Sequence, residues 1–213
     1  MAGSKAVLQD GSTLSQLDRT LNRLETVMAF LAGTTVLILI GLAVVSVLGR
    51  NFFNVPLPGY VDWIMQAMPL IAFLGVAFTM REGGHIRMDI VIGQFRGRPL
   101  WMAEFLTTAI TLVLMILLVW GSWSHFQRSF DWDAPNWSRD STIDIGLPLW
   151  PAKLLVPVSF AVLCLRLVLQ LWAYAKGIGS GREDIVAVPL VKSAAEQAAE
   201  EAEHVSGAEE RGR

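Results

Sequence analysis

One cysteine, Cys164, is all the thiol that the 213 residues contain. It lies inside an apolar run, so no disulfide framework is available and no zinc or thiolate cluster assembles within one chain. Redox compartment is therefore not legible from cysteine. Charge is the next shortage: 17% of residues are charged against 53% hydrophobic, the mean hydropathy is +0.47 and the net charge is −2. That is more apolar surface than a soluble domain can bury, and the chain reads as a membrane protein. Histidine is scarce as well, with three in all. Haem needs two axial ligands facing each other within the bilayer. His85 falls at one end of the second span, His125 lies about 38 Å along a helix from Leu100, and His204 sits in the tail, so no pair shares an iron. Gly-rich phosphate loops, paired catalytic carboxylates and a Ser-His-Asp set are absent in any recognisable spacing. The expectation is a protein that is not an enzyme and carries no cofactor or metal of its own.

What the sequence has in abundance is long apolar runs. A hydrocarbon core takes about 20 helical residues to cross, and four segments qualify: Val27 to Leu48, Tyr60 to Met80, Leu100 to Trp123 and Leu147 to Tyr174. The first carries no charge, and a spanning helix satisfies its backbone internally where a loop could not. A cleaved signal peptide is the competing reading of this run, but such h-regions are shorter and follow a short basic start. The expected fold class is an all-α integral membrane protein of four transmembrane helices with short interfacial amphipathic helices. Its divisions are an N-terminal amphipathic segment over 1–26, a four-helix domain over 27–174 and an acidic tail over 175–213.

Orientation follows from basic residues in the short connections. Between spans two and three stand Arg81, Arg87, Arg96 and Arg98; between three and four, Arg128 and Arg139 are outnumbered by Asp131, Asp133, Asp140 and Asp144. The positive-inside rule puts the first connection and both termini in the cytoplasm. Tryptophans favour the headgroup level: Trp63, Trp120, Trp123 and Trp150 fall at the outer interface, Trp101 and Trp172 at the inner one, Trp132 and Trp137 in the outer loop.

Two stretches look amphipathic rather than spanning. Leu14, Leu17, Leu21, Leu24 and Met28 recur at helical spacing behind Thr13 and Gln16, a capping-box pattern, which predicts a helix on the inner surface leading into span one. In "TMREGGHIRMDIVIGQF", Met88, Val91, Ile92 and Phe95 form a second stripe, and Gly83 with Gly84 permits the sharp turn before it. His85 in this stretch is open to two readings, a ligand or relay and a structural interface residue. The tail from Ser193 is Ala- and Glu-rich with few large apolar residues and reads as solvated.

Charges inside the spans are the most informative candidates, because ionisable groups at such depths pair or face protein. Arg166 lies in the inner half of span four, Glu104 in the first turns of span three, Asp62 at the outer start of span two and Lys153 near the outer start of span four. Snorkelling remains an alternative for Lys153 and Asp62. For Arg166 and Glu104, shared depth in the inner leaflet predicts a pair, made directly or through a residue of a partner subunit.

The segments "GRNFFNVPLPGYVDW", "LIAFLGVAFTMREGGHIRMDIVI" and "STIDIGLPLWPAKLLVPVSFAVL" together resemble the small membrane subunit (DctQ-like) of tripartite ATP-independent periplasmic (TRAP) transporters, from about Leu24 to Trp172. The run from Arg81 to Asp89 after "FLG" carries most of the likeness. Arg50 with the Pro56 and Pro58 turn, and the Pro148, Trp150, Pro157 pattern, support it; Asp62 departs from it, since the family more usually has glutamate there. The resemblance implies a four-helix scaffold in the bacterial inner membrane, bound to a large multi-span subunit that holds sodium and substrate. A periplasmic binding protein would deliver an organic acid anion. On this reading Arg81, Gly84, His85, Arg87 and Asp89 form a cytoplasmic anchor on anionic lipid headgroups, Arg50, Asp62, Glu104, Lys153 and Arg166 are structural or partner contacts, and no substrate site lies in this subunit. A haem or quinone anchor of a respiratory enzyme and a small stand-alone channel or exporter are the readings from other classes.

Overall fold

The structure, a computed structural model, describes residues 13–55, 57–81 and 98–180. It is all-α: α1 (Thr13–Phe53), α2 (Tyr60–Leu74), α3 (Val76–Arg81), α4 (Arg98–Ser129) and α5 (Trp150–Ser180), with one 3-10 turn at Pro135–Trp137. Among the described residues there is no strand, only the isolated bridges Phe130 to Ser138 and Ser141 to Pro148. Four helices are long and apolar enough to cross a membrane, with α2 and α3 counted as one.

That second span is nearly continuous. Gly75 separates α2 from α3, yet its carbonyl accepts both the backbone N–H (3.0 Å) and the hydroxyl (2.9 Å) of Thr79. The double acceptance holds α3 on the end of α2 across a residue that favours breaking helices. Gly59 does the opposite job at the start of α2. Its φ of +67° is open to glycine, and a Cβ there would lie 2.5 Å from the Ile145 side chain, so the chain can turn into the helix while the loop packs directly on it.

Span one is longer than the apolar run that marks it. At about 1.5 Å per residue, α1 extends roughly 61 Å, about twice a 30 Å hydrocarbon core. The helix passes residue 26 without a break, so the described part of the N-terminal amphipathic segment is simply its first turns. The leucine stripe splits between two faces: Leu14 and Met28 are buried with Asp18 and Glu25, whereas Leu17 and Leu24 are exposed. Positions 14, 18, 25, 28 and 32 follow helical periodicity, so the acids share the inward face with the apolar residues. The stripe around Met88 to Phe95 and the tail from Gly181 lie outside the described residues.

Helix α4 packs along α5, α5 packs also on α2 and α3, and α1 lies chiefly on α2. Two apolar clusters fill these seams. Met28, Ala32, Leu74, Ala77, Val162, Leu163 and Leu167 form the larger one, and Leu14, Trp101, Ala173 and Tyr174 close one end, where the Trp101 and Tyr174 rings stack at 6.0 Å. From Gly33 to Phe53, α1 has no fully buried residue. Its second half, like most of α4, presents apolar side chains outward.

Candidate functional site: a buried charge cluster and a pinned loop

Arg166 stands mid-helix on the face of α5 that also carries Leu163 and Gln170, one turn away on either side, and the adjacent Leu167, and all are buried. Asp18 and Glu25 stand seven residues apart on α1, two turns along one face. The guanidinium fits between them. Its Nε and Nη2 donate to the two oxygens of Glu25 at 2.7 and 2.5 Å, and Nη1 donates to Asp18 Oδ1 at 2.5 Å. Arg81, the last residue of α3, completes the set by donating to Asp18 at 3.2 Å through Nη2 and 3.5 Å through Nε. Arg166 and Glu25 are 0% exposed, Asp18 1% and Arg81 8%.

Two acids and two arginines sum to zero, which is what allows them to be buried together. The planar fork of Arg166 meets Glu25 side-on and still reaches Asp18, a geometry that lysine's single ammonium could not reproduce. Every carboxylate oxygen in the cluster accepts from a guanidinium. Chemically the cluster is a closed clamp joining α1, α3 and α5. Among the described residues no group of three or more His, Cys, Asp or Glu is placed to hold a metal ion.

The arginine's partners correct one expectation. Arg166 takes Glu25 and Asp18 rather than Glu104, which is buried on α4. The physical cause is the length of α1: because the helix starts at Thr13 and its acids face inward, it brings two carboxylates to the depth of Arg166. Ending span one at Val27 hid Asp18 and Glu25. The available signal was their seven-residue spacing in phase with Leu14, Leu21 and Met28.

At the opposite end, residues 130–149 form a pinned cap between α4 and α5. Asp62, in the first turn of α2 and buried, accepts the backbone N–H groups of Asp144 (3.1 Å) and Ile145 (2.8 Å). Gln66, one turn further along α2, donates to the Pro148 carbonyl. Lys153 reaches back from α5 to Asp140 at 2.5 Å, and Arg139 bonds Asp131 at 2.9 Å. The Lys153 ammonium holds the Asp140 carboxyl below the usual carboxylate range, with a further contribution from Ser129, and Arg139 does the same for Asp131. Trp150 donates from its indole to the Asn136 carbonyl at 3.0 Å, and its ring meets those of Phe130 and Trp137. Arg50, in the last turn of α1, borders a cleft of about 520 Å3 with Tyr60, Asp144 and Ile145.

The ten residues singled out from the sequence thus divide four ways. Arg81 and Arg166 join the buried clamp, Asp62, Lys153 and Arg50 gather at the loop end, and Glu104 is buried on α4. Gly84, His85, Arg87 and Asp89 lie outside the described residues.

Residues 39–177 match the family model described as "Tripartite ATP-independent periplasmic transporters, DctQ component". No curated protein matches the chain. The match contains Arg81 and Arg166 but begins after Asp18 and Glu25, so the clamp straddles its N-terminal boundary.

Proposed function

This chain belongs to the DctQ component family of tripartite ATP-independent periplasmic transporters, and on that premise we propose that it is the small scaffold subunit of a sodium-coupled secondary transporter for organic acid anions. It sits in the bacterial inner membrane with both termini cytoplasmic. A large multi-span subunit binds sodium and substrate, and a periplasmic binding protein delivers the anion. The observation that carries the scaffold reading is the closed clamp: Asp18, Glu25, Arg81 and Arg166 neutralise one another and tie three helices together. Groups that bound a charged substrate or an ion would need open coordination, whereas these carboxylates are already occupied by guanidinium donors. The loop end supports the same role. Asp62 and Gln66 fix the connection between α4 and α5 to α2, giving a rigid platform at both ends of the helices.

Reconstitution tests the division of labour. Vesicles holding this chain alone, under an inward sodium gradient, should accumulate no organic acid anion, and uptake should require the large component and the binding protein together. Sodium-driven uptake by the purified chain alone would refute the scaffold role.

A further inference from the structure

The cleft of about 520 Å3 at the loop end lies where the end of α1, the connection into α2 and the cap meet. Its walls are fixed by contacts within the chain. The connection folds back on α1, with the Val55 N–H donating to the Gly49 carbonyl at 3.2 Å, and a Cβ at Gly49 would lie 2.9 Å from the Val55 carbonyl oxygen. On the other side, Asp62 holds the backbone of Asp144 and Ile145, and the Ile145 side chain presses on Gly59. A cleft of this size with pinned walls is pre-formed for a small ligand group.

Two opposite charges border this cleft without meeting. Arg50 and Asp144 are both exposed, and among the described residues neither the guanidinium nor the carboxylate makes a hydrogen bond or an ion pair. An anion alone would answer Arg50 and leave Asp144 facing it; a cation alone would do the reverse. A group carrying a phosphate and a primary ammonium a few bonds apart answers both. Depth narrows the ligand further. Arg50 lies two residues past Leu48, where the uncharged run of α1 ends, or about 3 Å along the helix, and so stands at the headgroup level. Val47 and Val44 follow about one and two turns deeper and are 57% and 51% exposed. A phosphate held by Arg50 therefore has its acyl chains running over them.

We propose that the cleft between α1, α2 and the cap is a binding site for an ethanolamine phospholipid, with the headgroup phosphate on Arg50 and its ammonium on Asp144. The inference does not depend on the transporter reading, because it concerns this chain and the bilayer alone. A lipid held there braces the end of α1, which has no fully buried residue of its own from Gly33 to Phe53.

In the test, the full chain, delipidated in detergent, is titrated with phosphatidylethanolamine, phosphatidylglycerol or phosphatidylcholine of identical dioleoyl chains, and bound lipid is counted by native mass spectrometry. Phosphatidylethanolamine should bind most tightly. Arg50→Gln should weaken phosphatidylethanolamine and phosphatidylglycerol alike, by about tenfold for the loss of one charge-assisted contact. Asp144→Asn should weaken phosphatidylethanolamine alone and abolish its advantage, because phosphatidylcholine has no N–H to donate and phosphatidylglycerol no cation. Ser46→Trp, which fills the cleft from α1 and leaves both charges in place, should weaken all three, and it decides the matter if a charge variant fails to fold. Phosphatidylethanolamine binding unchanged by Arg50→Gln and by Ser46→Trp would overturn the site. So would a preference for phosphatidylglycerol that Asp144→Asn leaves as it was, or equal competition by glycerophosphoethanolamine, which would assign the cleft to a soluble headgroup.

Discussion

Removing Arg166 should unlock α1 from the other helices. Arg166→Ala strips three charge-assisted hydrogen bonds at once. It leaves Glu25 without either of its guanidinium contacts, and Asp18 with Arg81 alone. Breaking a buried ion pair by deleting one partner costs about 3–5 kcal/mol, because the surviving charge is left uncompensated in a poor solvent. The diagnostic is coupling. With Arg166→Ala and Glu25→Ala combined, no orphan guanidinium faces an orphan carboxylate, so the double change should cost less than the sum by about 0.5–3 kcal/mol, the range for residues in direct contact. Glu104→Ala combined with Arg166→Ala should come close to additivity. Thermal unfolding of the subunit in one fixed detergent, followed by tryptophan fluorescence and repeated on chemically denatured samples, reads each single and double variant. Additive losses for Arg166 with Glu25, together with strong coupling to Glu104, would refute the cluster and restore the pairing inferred from span depth alone.

Asp62→Ala should free the cap over residues 130–149, seen as faster cleavage within that loop by a soluble protease, while Asp62→Asn, which keeps an acceptor for the Asp144 and Ile145 N–H groups, should be milder; equal cleavage in both would show that the two hydrogen bonds do not hold the loop. Acid should loosen the same loop late. Asp140 has a depressed pKa in the folded state through Lys153, so its contribution is present above the unfolded value of about 3.9 and is lost only as pH falls below it. Indole emission should accordingly stay flat down to about pH 4 and shift only below it, with the shift weakened in Asp140→Asn and in high salt; a transition centred between pH 5 and 7 would contradict this. For orientation, a reporter active only in the cytoplasm should work when fused after Gly97 and fail when fused after Trp137.

The spans were legible because they rest on the least context-dependent physics available, the length of apolar chain needed to cross hydrocarbon. Tryptophan placement was legible for a similar reason. Trp63, Trp123 and Trp150 stand at the helix ends that meet the loop, and Trp101 and Trp172 at the other end, as the preference of indole for an interface requires. Asp62 and Lys153 were found as charges near a boundary, but depth alone left snorkelling open. What Asp62 does depends on a turn at Asp144 and Ile145 that lies more than 80 residues away in the chain, and Lys153 is held by Asp140 in the loop before its own helix. No local pattern encodes the proximity of Asp62 to that turn.

Asp18 and Glu25 were hidden by a different mechanism. Hydropathy finds the part of a helix that lies in hydrocarbon and says nothing about how far the helix continues once water can solvate its side chains. The continuation of α1 is decided by packing: Leu14 joins Trp101, Ala173 and Tyr174, and that small cluster holds the first turns of α1 against the extended ends of α4 and α5. With those turns in place, the two acids necessarily face α5, since they share the azimuth of Leu14 and Met28. Arg166 can then be as deep as it is because the compensating charge arrives from a segment that hydropathy assigns to the surface. An arginine too deep in a span to reach the interface is thus a reason to look for acids in phase on the amphipathic flank of a neighbouring helix before pairing it with the nearest acid inside another span.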